Sequence, residues 1–345
     1  MKIKVVTIGT GAPGGIDSVI SGYINDGVFE GIEHVRLISH MGKNKFHDLI
    51  LFLLSIFRFT LICLKYKKII LHCHMSYNGS FFRKLMFLIV SIFFNNKTII
   101  HLHGSEFKDY FNMKSRLIKK MIIWTINKCD CFIVLSEGWR EYIHSISGKN
   151  PVVINNYVDI RPDLINRKNR DILFLGAFIK RKGIYELLSA CSMLHDDYHL
   201  HLCGSGENNK VEELINELNL KSKVTLHGWI GKDKKKELLS SCAVMVLPTY
   251  NEGLPMTIIE SMACEIPVLT TPVGAIPEII IDGVSGYLVQ PGDILSLAEK
   301  LDFILSSPNE LKGITTMAKD IYVNNFTSLQ VIPKLKGIYE SLNNS

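Results

Sequence analysis

The stretch 248–268, PTYNEGLPMTIIESMACEIPV, carries two carboxylates, Glu252 and Glu260, with seven residues between them. Glu252 reads as a loop residue. Pro255 suits the first turn of a following helix, where a missing N–H is no loss. Glu260 then falls on that helix, on its apolar Ile258–Ile259 side. A carboxylate there wants a partner, because an unpaired buried charge is costly, and the two hydroxyls of a ribose would serve. The amides of 253–256, around Gly253, Leu254 and Pro255, point to an anion site at the helix start. One loop thus supplies a carboxylate for a reacting sugar, amides for a diphosphate and a carboxylate for a ribose. The plainer reading is a capped helix with incidental acids.

A second cluster is LFLGAFIKRKG at 173–183, followed by the helical IYELLSA. A strand ends at Gly176, three cations follow (Lys180, Arg181, Lys182), and a helix begins. A phosphate there would meet free amides, the positive end of a helix dipole and fixed cations together. A solvated basic turn is the competing reading. Gly204-Ser-Gly206 and His227-Gly228-Trp229 end the next two strands, and small residues at successive strand ends line a crevice suited to a nucleotide.

Gly9-Thr-Gly11-Ala-Pro-Gly14 spells GxGxxG after the first strand. A dinucleotide site also wants an acid at the end of the second strand to hold ribose hydroxyls. That strand runs instead into His40-Met-Gly-Lys, so NAD is not expected. Gly14 and Gly15 would still offer free N–H groups at a helix start. His72, His74, His101 and His103 end two neighbouring strands, and residues two apart in a strand share a face. Four histidines suggest a transition metal, yet no carboxylate or cysteine set completes a ligand spacing, so no metal is expected. His103, before a glycine turn, reads as a hydrogen-bonding or acid–base residue, the others as residues with structural partners.

Strands are expected at 3–8, 35–39, 69–73, 98–103 and 131–135, with helices at 15–25, 46–66, 77–94 and 112–128 between them. After a polar joint at 159–170 a second series follows, with strands at 172–176, 199–203, 224–227, 244–247 and 268–270. Strand–helix alternation predicts parallel sheets. The expected fold is α/β, two Rossmann-like doubly wound domains at 1–160 and 161–329 facing across a cleft, with a C-terminal helix at about 330–345 packing back on the first. Ligands in such folds lie beyond the carboxyl ends of the strands.

The 345 residues allow two cores, and 47% hydrophobic against 21% charged residues excludes disorder and coiled coil. A net charge of +6 is too mild to imply nucleic acid. Residues 1–160 hold 20 basic and 11 acidic side chains, whereas 161–345 hold 19 and 22. The first half is therefore cationic as well as greasy, which suggests an anionic surface as neighbour. Eight cysteines, mostly in apolar stretches and without a CxxC, fit reduced buried thiols in a cytoplasmic protein. The apolar runs 49–64 and 85–94 fall short of a bilayer span; they read as buried core helices, with helices dipping into a membrane surface as the alternative.

The Glu-x7-Glu spacing in EGLPMTIIESMACEIPVLTTPVGAIPEII, preceded by LFLGAFIKRKG, resembles the retaining, nucleotide-sugar-dependent glycosyltransferase family 4 of the GT-B fold, in members that build bacterial surface polysaccharide. Gly14-Gly15, His103-Gly104 and Asn155-Asn-Tyr-Val-Asp159 look like that family's glycine loop, cleft histidine and interdomain stretch. The resemblance implies that Glu252 contacts the donor sugar at its reacting face and Glu260 the ribose. It implies that Lys182, with Arg181, neutralises the leaving diphosphate, and that His103 holds the sugar. Gly14, Gly15, Gly204, Gly228, Gly253, Leu254 and Pro255 would complete the donor site. The family often has arginine directly after the residue matched by Gly176; this chain has Ala177, which shifts phosphate neutralisation onto Lys180, Arg181 and Lys182.

The implied activity is hexosyl transfer from a nucleoside-diphosphate sugar, without metal or other cofactor, to a glycan acceptor, lipid-linked, in O-antigen, capsule or exopolysaccharide synthesis. The basic segment 114–124 (KSRLIKKMIIW), with Lys65, Lys67, Lys68, Arg83 and Lys84, suggests peripheral docking on the anionic cytoplasmic face of the inner membrane. A sugar-nucleotide epimerase of the same fold, or a non-catalytic sugar-nucleotide-binding protein, are the alternatives.

Overall fold

The computed structural model describes residues 3–12, 14–160, 170–195 and 197–344. Most of the expected polar joint, 161–169, lies outside the described residues, as does Pro13 of the glycine loop. The chain divides into two compact units, Met1–Asn156 with Ser328–Ser345, and Tyr157–Thr327.

The first unit runs β1 (Lys4–Gly9), α1 (Gly15–Asn25), β2 (Glu33–Ile38), α2 (Lys45–Lys65), β3 (Ile70–Met75), α3 (Gly79–Phe93), β4 (Lys97–Leu102), α4 (Phe107–Met113), α5 (Arg116–Lys128), β5 (Cys131–Val134), α6 (Glu137–Ser147) and β6 (Val152–Val153). Its sheet is wholly parallel, in the order β2-β1-β3-β4-β5-β6. Central parallel strands are covered on both faces, and β1 and β3 are buried at every position. One face carries Val6, Ile8, Leu71 and Cys73 against Phe59 of α2 and Phe87 of α3. Alternation sends Thr7, His72, His74 and His101 to the opposite face.

The helix expected over 112–128 is two helices. Lys114 is extended (φ −83°, ψ 153°) and ends α4 before α5 begins. A larger correction concerns α2. It packs on the unit through Ser55, Phe59 and Cys63, but Leu49, Leu53, Leu54, Phe57, Leu61 and Leu64 are exposed, so it is not a buried core helix. α3 is half so: Leu85, Phe87 and Leu88 are buried while Phe82, Met86, Ile89 and Phe93 face outward at helical spacing. Among the described residues, α2 is the one helix long and apolar enough to cross a membrane by length and composition.

The second unit runs β7 (Asp171–Leu175), α7 (Ile184–Ser192), β8 (His199–Cys203), α8 (Asn208–Glu217), β9 (Val224–Gly228), α9 (Lys232–Ser241), β10 (Val244–Leu247), α10 (Met256–Ala263), β11 (Val268–Thr270), β12 (Tyr287–Leu288), α11 (Ile294–Ser306) and α12 (Lys312–Asn325). The final helix, α13 (Ser328–Asn344), belongs to the first unit, where the Tyr339 hydroxyl lies 2.8 Å from His72 Nδ1. The second sheet is also parallel, ordered β12-β11-β10-β7-β8-β9. From β7 the chain winds outward through β8 and β9, then returns to the other side at β10. Strand order therefore reverses between β7 and β10, and the loops leaving these two strands diverge at the position where doubly wound sheets bind ligands. In the first unit the reversal lies between β1 and β3.

Candidate active site

The two loops at the second reversal are stitched together. After β7, residues Lys180–Lys182 form a 3-10 turn ended by Gly183 in a left-handed conformation (φ 73°). A Cβ on Gly183 would lie 1.9 Å from Pro248 O, so only glycine lets the turn approach the end of β10 this closely. The Arg181 carbonyl accepts from Tyr250 N (2.8 Å) and Thr249 Oγ1 (2.9 Å). Arg181 Nη1 donates to Asn251 O (2.6 Å), so part of a guanidinium expected on a diphosphate holds the neighbouring loop. Lys182 Nζ donates to Glu252 Oε1 in an ion pair between largely buried groups. Lys182 and Glu252, predicted to act on one donor, are thus in direct contact.

Gly274 was not singled out in the sequence. Its φ is 59°, a Cβ there would meet Glu252 O at 1.8 Å, and Ala275 N donates to Gly253 O (2.9 Å). The loop after β11 therefore presses on Glu252 and Gly253 from behind and fixes their height. Leu254 beside them is buried. Pro255 sits at the N-cap of α10, one residue outside the helix rather than in its first turn, and its carbonyl accepts from Ile258 N (3.2 Å).

Five residues after Pro255, Glu260 is buried in α10. Its Oε1 accepts from Lys235 of α9, while Oε2 is buried without a hydrogen-bond partner. Burial raises the Glu260 carboxyl above the usual range, and the Lys235 ammonium opposes that rise. Lys235 supplies the protein partner that the sequence left unnamed; a lysine within DKKKE carries no signal of which acid it will meet. Gly176 and Gly204 follow β7 and β8, and Gly228 ends β9: Gly176 N donates to Cys203 O (3.0 Å) and Gly204 N to Gly228 O (2.8 Å). A Cβ on Gly204 would strike Gly176 O at 1.8 Å, whereas one on Gly228 would meet nothing within 4 Å.

The other predicted residues lie in the first unit. Gly14 is the N-cap of α1 and Gly15 its first residue, and no protein atom comes within 4 Å of a Cβ built on either. The space over them is open; the backbone at Gly14 (φ 153°) itself favours glycine, whereas nothing described in the chain requires glycine at position 15. Arg36 braces the loop through Thr10 O (3.0 Å) and an ion pair with Asp17. His103 is half-buried, with Nε2 2.9 Å from His74 Nδ1; burial and then the Lys84 ammonium push it down to about 3. His72 has Tyr339 and His74 has His103, but neither nitrogen of His101 has a hydrogen-bond partner, against the expectation that each would be satisfied. Ligand atoms of His72, His74 and His101 lie within 4.8 Å of one another. The His72 ring is stacked on His74 (27° between planes) and on His101 (7°), so their in-plane lone pairs do not converge on one point. The eight cysteines are all free thiols.

The second unit brings a lysine ammonium, a helix N-terminus and two carboxylates to the loops at one strand reversal. Comparison with known proteins gives the family. The profile of the glycosyl transferases group 1 matches residues 158–320, and that of Glycosyltransferase Family 4 matches 14–161. An uncharacterized glycosyltransferase of Methanocaldococcus jannaschii is 28% identical over 247 residues, spanning 71% of this chain and 68% of that one. The lipopolysaccharide core biosynthesis glycosyltransferase LpsE of Rhizobium meliloti is 26% identical over 57% of this chain and 60% of its own. Among solved structures, HepE of Anabaena in complex with UDP-glucose superposes with a TM-score of 0.80 at 16% identity, covering 98% of this chain and 100% of that one, a likeness of fold. With the two profiles abutting near residue 160 and together taking in most of the chain, the protein belongs to the family 4 glycosyltransferases of the GT-B fold.

Proposed function

We propose that this glycosyltransferase moves a hexose, with retention of anomeric configuration, from a nucleoside-diphosphate sugar to a lipid-linked glycan in surface-polysaccharide synthesis. The observation that carries the donor side is the Lys182–Glu252 pair, held at the β7/β10 reversal by the Arg181 and Gly274 contacts. HepE, which shares the fold, was crystallised with UDP-glucose, and LpsE acts in lipopolysaccharide core biosynthesis. Both support the donor class and the destination of the product.

The chemistry follows from charge. As the anomeric bond breaks, negative charge grows on the departing diphosphate. Lys182 and the amides at the start of α10 are fixed before reaction, so they stabilise that charge without reorganising. Arg181 adds a second cation close by. Glu252 keeps the Lys182 ammonium in place and lies where a donor sugar hydroxyl can displace half of their contact. Glu260 Oε2, buried and unpartnered, takes a ribose hydroxyl. No carboxylate is assigned as a nucleophile on the reacting face; the acceptor hydroxyl attacks from the side the diphosphate leaves, and the diphosphate receives its proton. With protein cations in this role, EDTA leaves the rate unchanged. For His103 a sugar-holding role rests on the family resemblance alone.

On the acceptor side, α2 and α3 present apolar stripes, and α2 has Lys43 and Lys45 near one end and Lys65, Lys67 and Lys68 at the other. Apolar side chains flanked by cations suit the interface of an anionic bilayer. This moves the proposed docking face from 114–124, where Ile122 is buried, to the longer exposed apolar stripes of α2 and α3. The test is incubation with labelled UDP-, GDP- and ADP-sugars and membrane lipid extracts. Label entering lipid establishes transfer; an epimerised donor establishes an epimerase, and binding without turnover a non-catalytic protein.

A further inference from the structure

Lys84, on α3, is among the most deeply buried large side chains of the protein, 2% exposed. Among the described residues it has no ion pair, and one hydrogen bond runs from Nζ to Ser39 Oγ at 3.0 Å. Two of its three N–H groups are left over. A buried ammonium without a counter-charge is costly, and such groups are kept where something else balances them. Its neighbours do not balance it. Arg83 adds a second cation, with its Nε buried and unpartnered, and His40 adds a buried, unpartnered Nδ1. The nearby acid, Asp48, is occupied by the amides of Met41 (2.8 Å) and Gly42 (3.1 Å).

The place matters as much as the charge. Ser39 and His40 follow the end of β2, and His40 O accepts from Gly11 N (2.9 Å), which ties them to the glycine loop leaving β1. Ser39 Oγ in turn donates to Gly9 O (2.8 Å). The cluster therefore sits at the carboxyl ends of β1 and β2, against the start of the glycine loop that leaves β1. Arg83 is half-buried and carries the cluster to the surface on α3, the helix whose outer stripe is apolar. Electrostatics agree with this proximity. Burial and then Arg83 lower the Lys84 ammonium to about 7; burial, Arg83 and Lys84 lower the His40 imidazole to about 4, with Asp48 opposing.

We propose that His40, Arg83 and Lys84 form an anion subsite of the first unit that takes the phosphate of the acceptor. The acceptor identity rests on the glycosyltransferase function proposed above; the anion site itself does not. An arriving phosphate supplies the charge that Lys84 lacks, accepts from Arg83, and marks the acceptor as a glycan joined to its lipid through phosphate, with the lipid chain leaving along the apolar side of α3.

Thermal unfolding of the full chain tests this, with farnesyl phosphate, inorganic phosphate and farnesol as probes. Farnesyl phosphate should raise the midpoint more than either other probe. Lys84→Met and Arg83→Gln should each weaken its apparent affinity by about 10-fold or more, as expected for a lost hydrogen bond to a charged group, while Lys182→Met keeps the response. Lys84→Met removes an uncompensated buried charge at similar volume, so its midpoint without ligand should equal or exceed the wild-type value. A response untouched by both first-unit variants overturns the proposal, as does farnesol matching farnesyl phosphate. Inorganic phosphate matching farnesyl phosphate overturns the lipid acceptor. Nucleotide-sugar stabilisation measured in parallel keeps the donor reading separate: it can stand while this subsite fails.

Discussion

Lys182 and Glu252, seventy residues apart in sequence, form one ion pair that joins the turn after β7 to the loop after β10. The pair is sheltered, with side-chain exposures of 16% and 9%. Such a pair is a poor source of stability by itself but expensive to halve, because the remaining charge stays buried. In the function proposed above, it also holds the ammonium that meets the leaving diphosphate.

Lys182→Met should therefore lose transfer by about 100-fold or more, the usual effect of removing a charge-stabilising donor, and should unfold at lower temperature than wild type. Adding Glu252→Gln should recover most of the lost stability and none of the activity. Melting curves and initial rates on the two variants check both halves; recovery of the rate together with stability would reduce the pair to a structural brace.

Gly183→Ala and Gly274→Ala place a Cβ against Pro248 O and Glu252 O at positive φ. Both should move the Glu252 loop and cut kcat/KM by about 10-fold or more, since misplacement of about 1 Å can cost 100-fold. Gly228→Ala, also at positive φ (64°) but with nothing within 4 Å of its Cβ and no contact with the Glu252 loop, should cost less. Equal rates in all three would show that the height of the Glu252 loop does not matter.

Glu260 carries a pH prediction. Burial raises its carboxyl, so the folded protein without donor holds this proton to a higher pH than the unfolded chain, and stability from this group is present at low pH and lost as pH rises through the raised value. A ribose hydroxyl donating to Oε2 favours the charged form. Donor binding should then release a proton and tighten as pH rises through that value. Calorimetry with UDP-glucose in buffers of different ionisation enthalpy measures this, and Glu260→Gln should abolish the released proton while raising KM. An unchanged proton count in the variant would remove Glu260 from the ribose.

His72 gives the opposite sign. Burial pushes its imidazole down to about 3, so the folded state stays neutral where the unfolded chain, near 6.5, takes up a proton. Stability is complete above about 6.5 and falls as pH drops towards 3, by about 2 kcal/mol at pH 5 for one such group. Melting scans between pH 7 and 4.5 should show this loss, smaller in His72→Phe; a flat profile would mean that His72 titrates in the folded protein as it does in the unfolded chain.

Much of this site could be read before any coordinates, for a physical reason. Binding a diphosphate needs cations, glycines and a helix start within a few residues, so Lys182, Gly204 and 252–260 announce themselves locally. Lys235 and Gly274 do not, because their roles come from topology: β11 lies beside β10, and α9 brings its lysine against α10. Arg181 was identified as a cation, yet its contact with Asn251 O depends on how closely Gly183 lets two loops approach. Lys84 is hidden for another reason, since a lysine in an apolar helix reads as a surface position. The apolar run in α2 misled in the opposite direction: hydropathy marks side chains that avoid water, not whether protein or another apolar phase covers them.

In the proposed reaction the donor lies against the loops after β7 and β10, and hydrogen exchange with and without a bound nucleotide sugar measures that directly. Protection should concentrate in 176–183, 204–206 and 252–260, and should vanish in Lys182→Met at the same ligand concentration. Protection elsewhere in the chain, with these three segments unchanged, would contradict it.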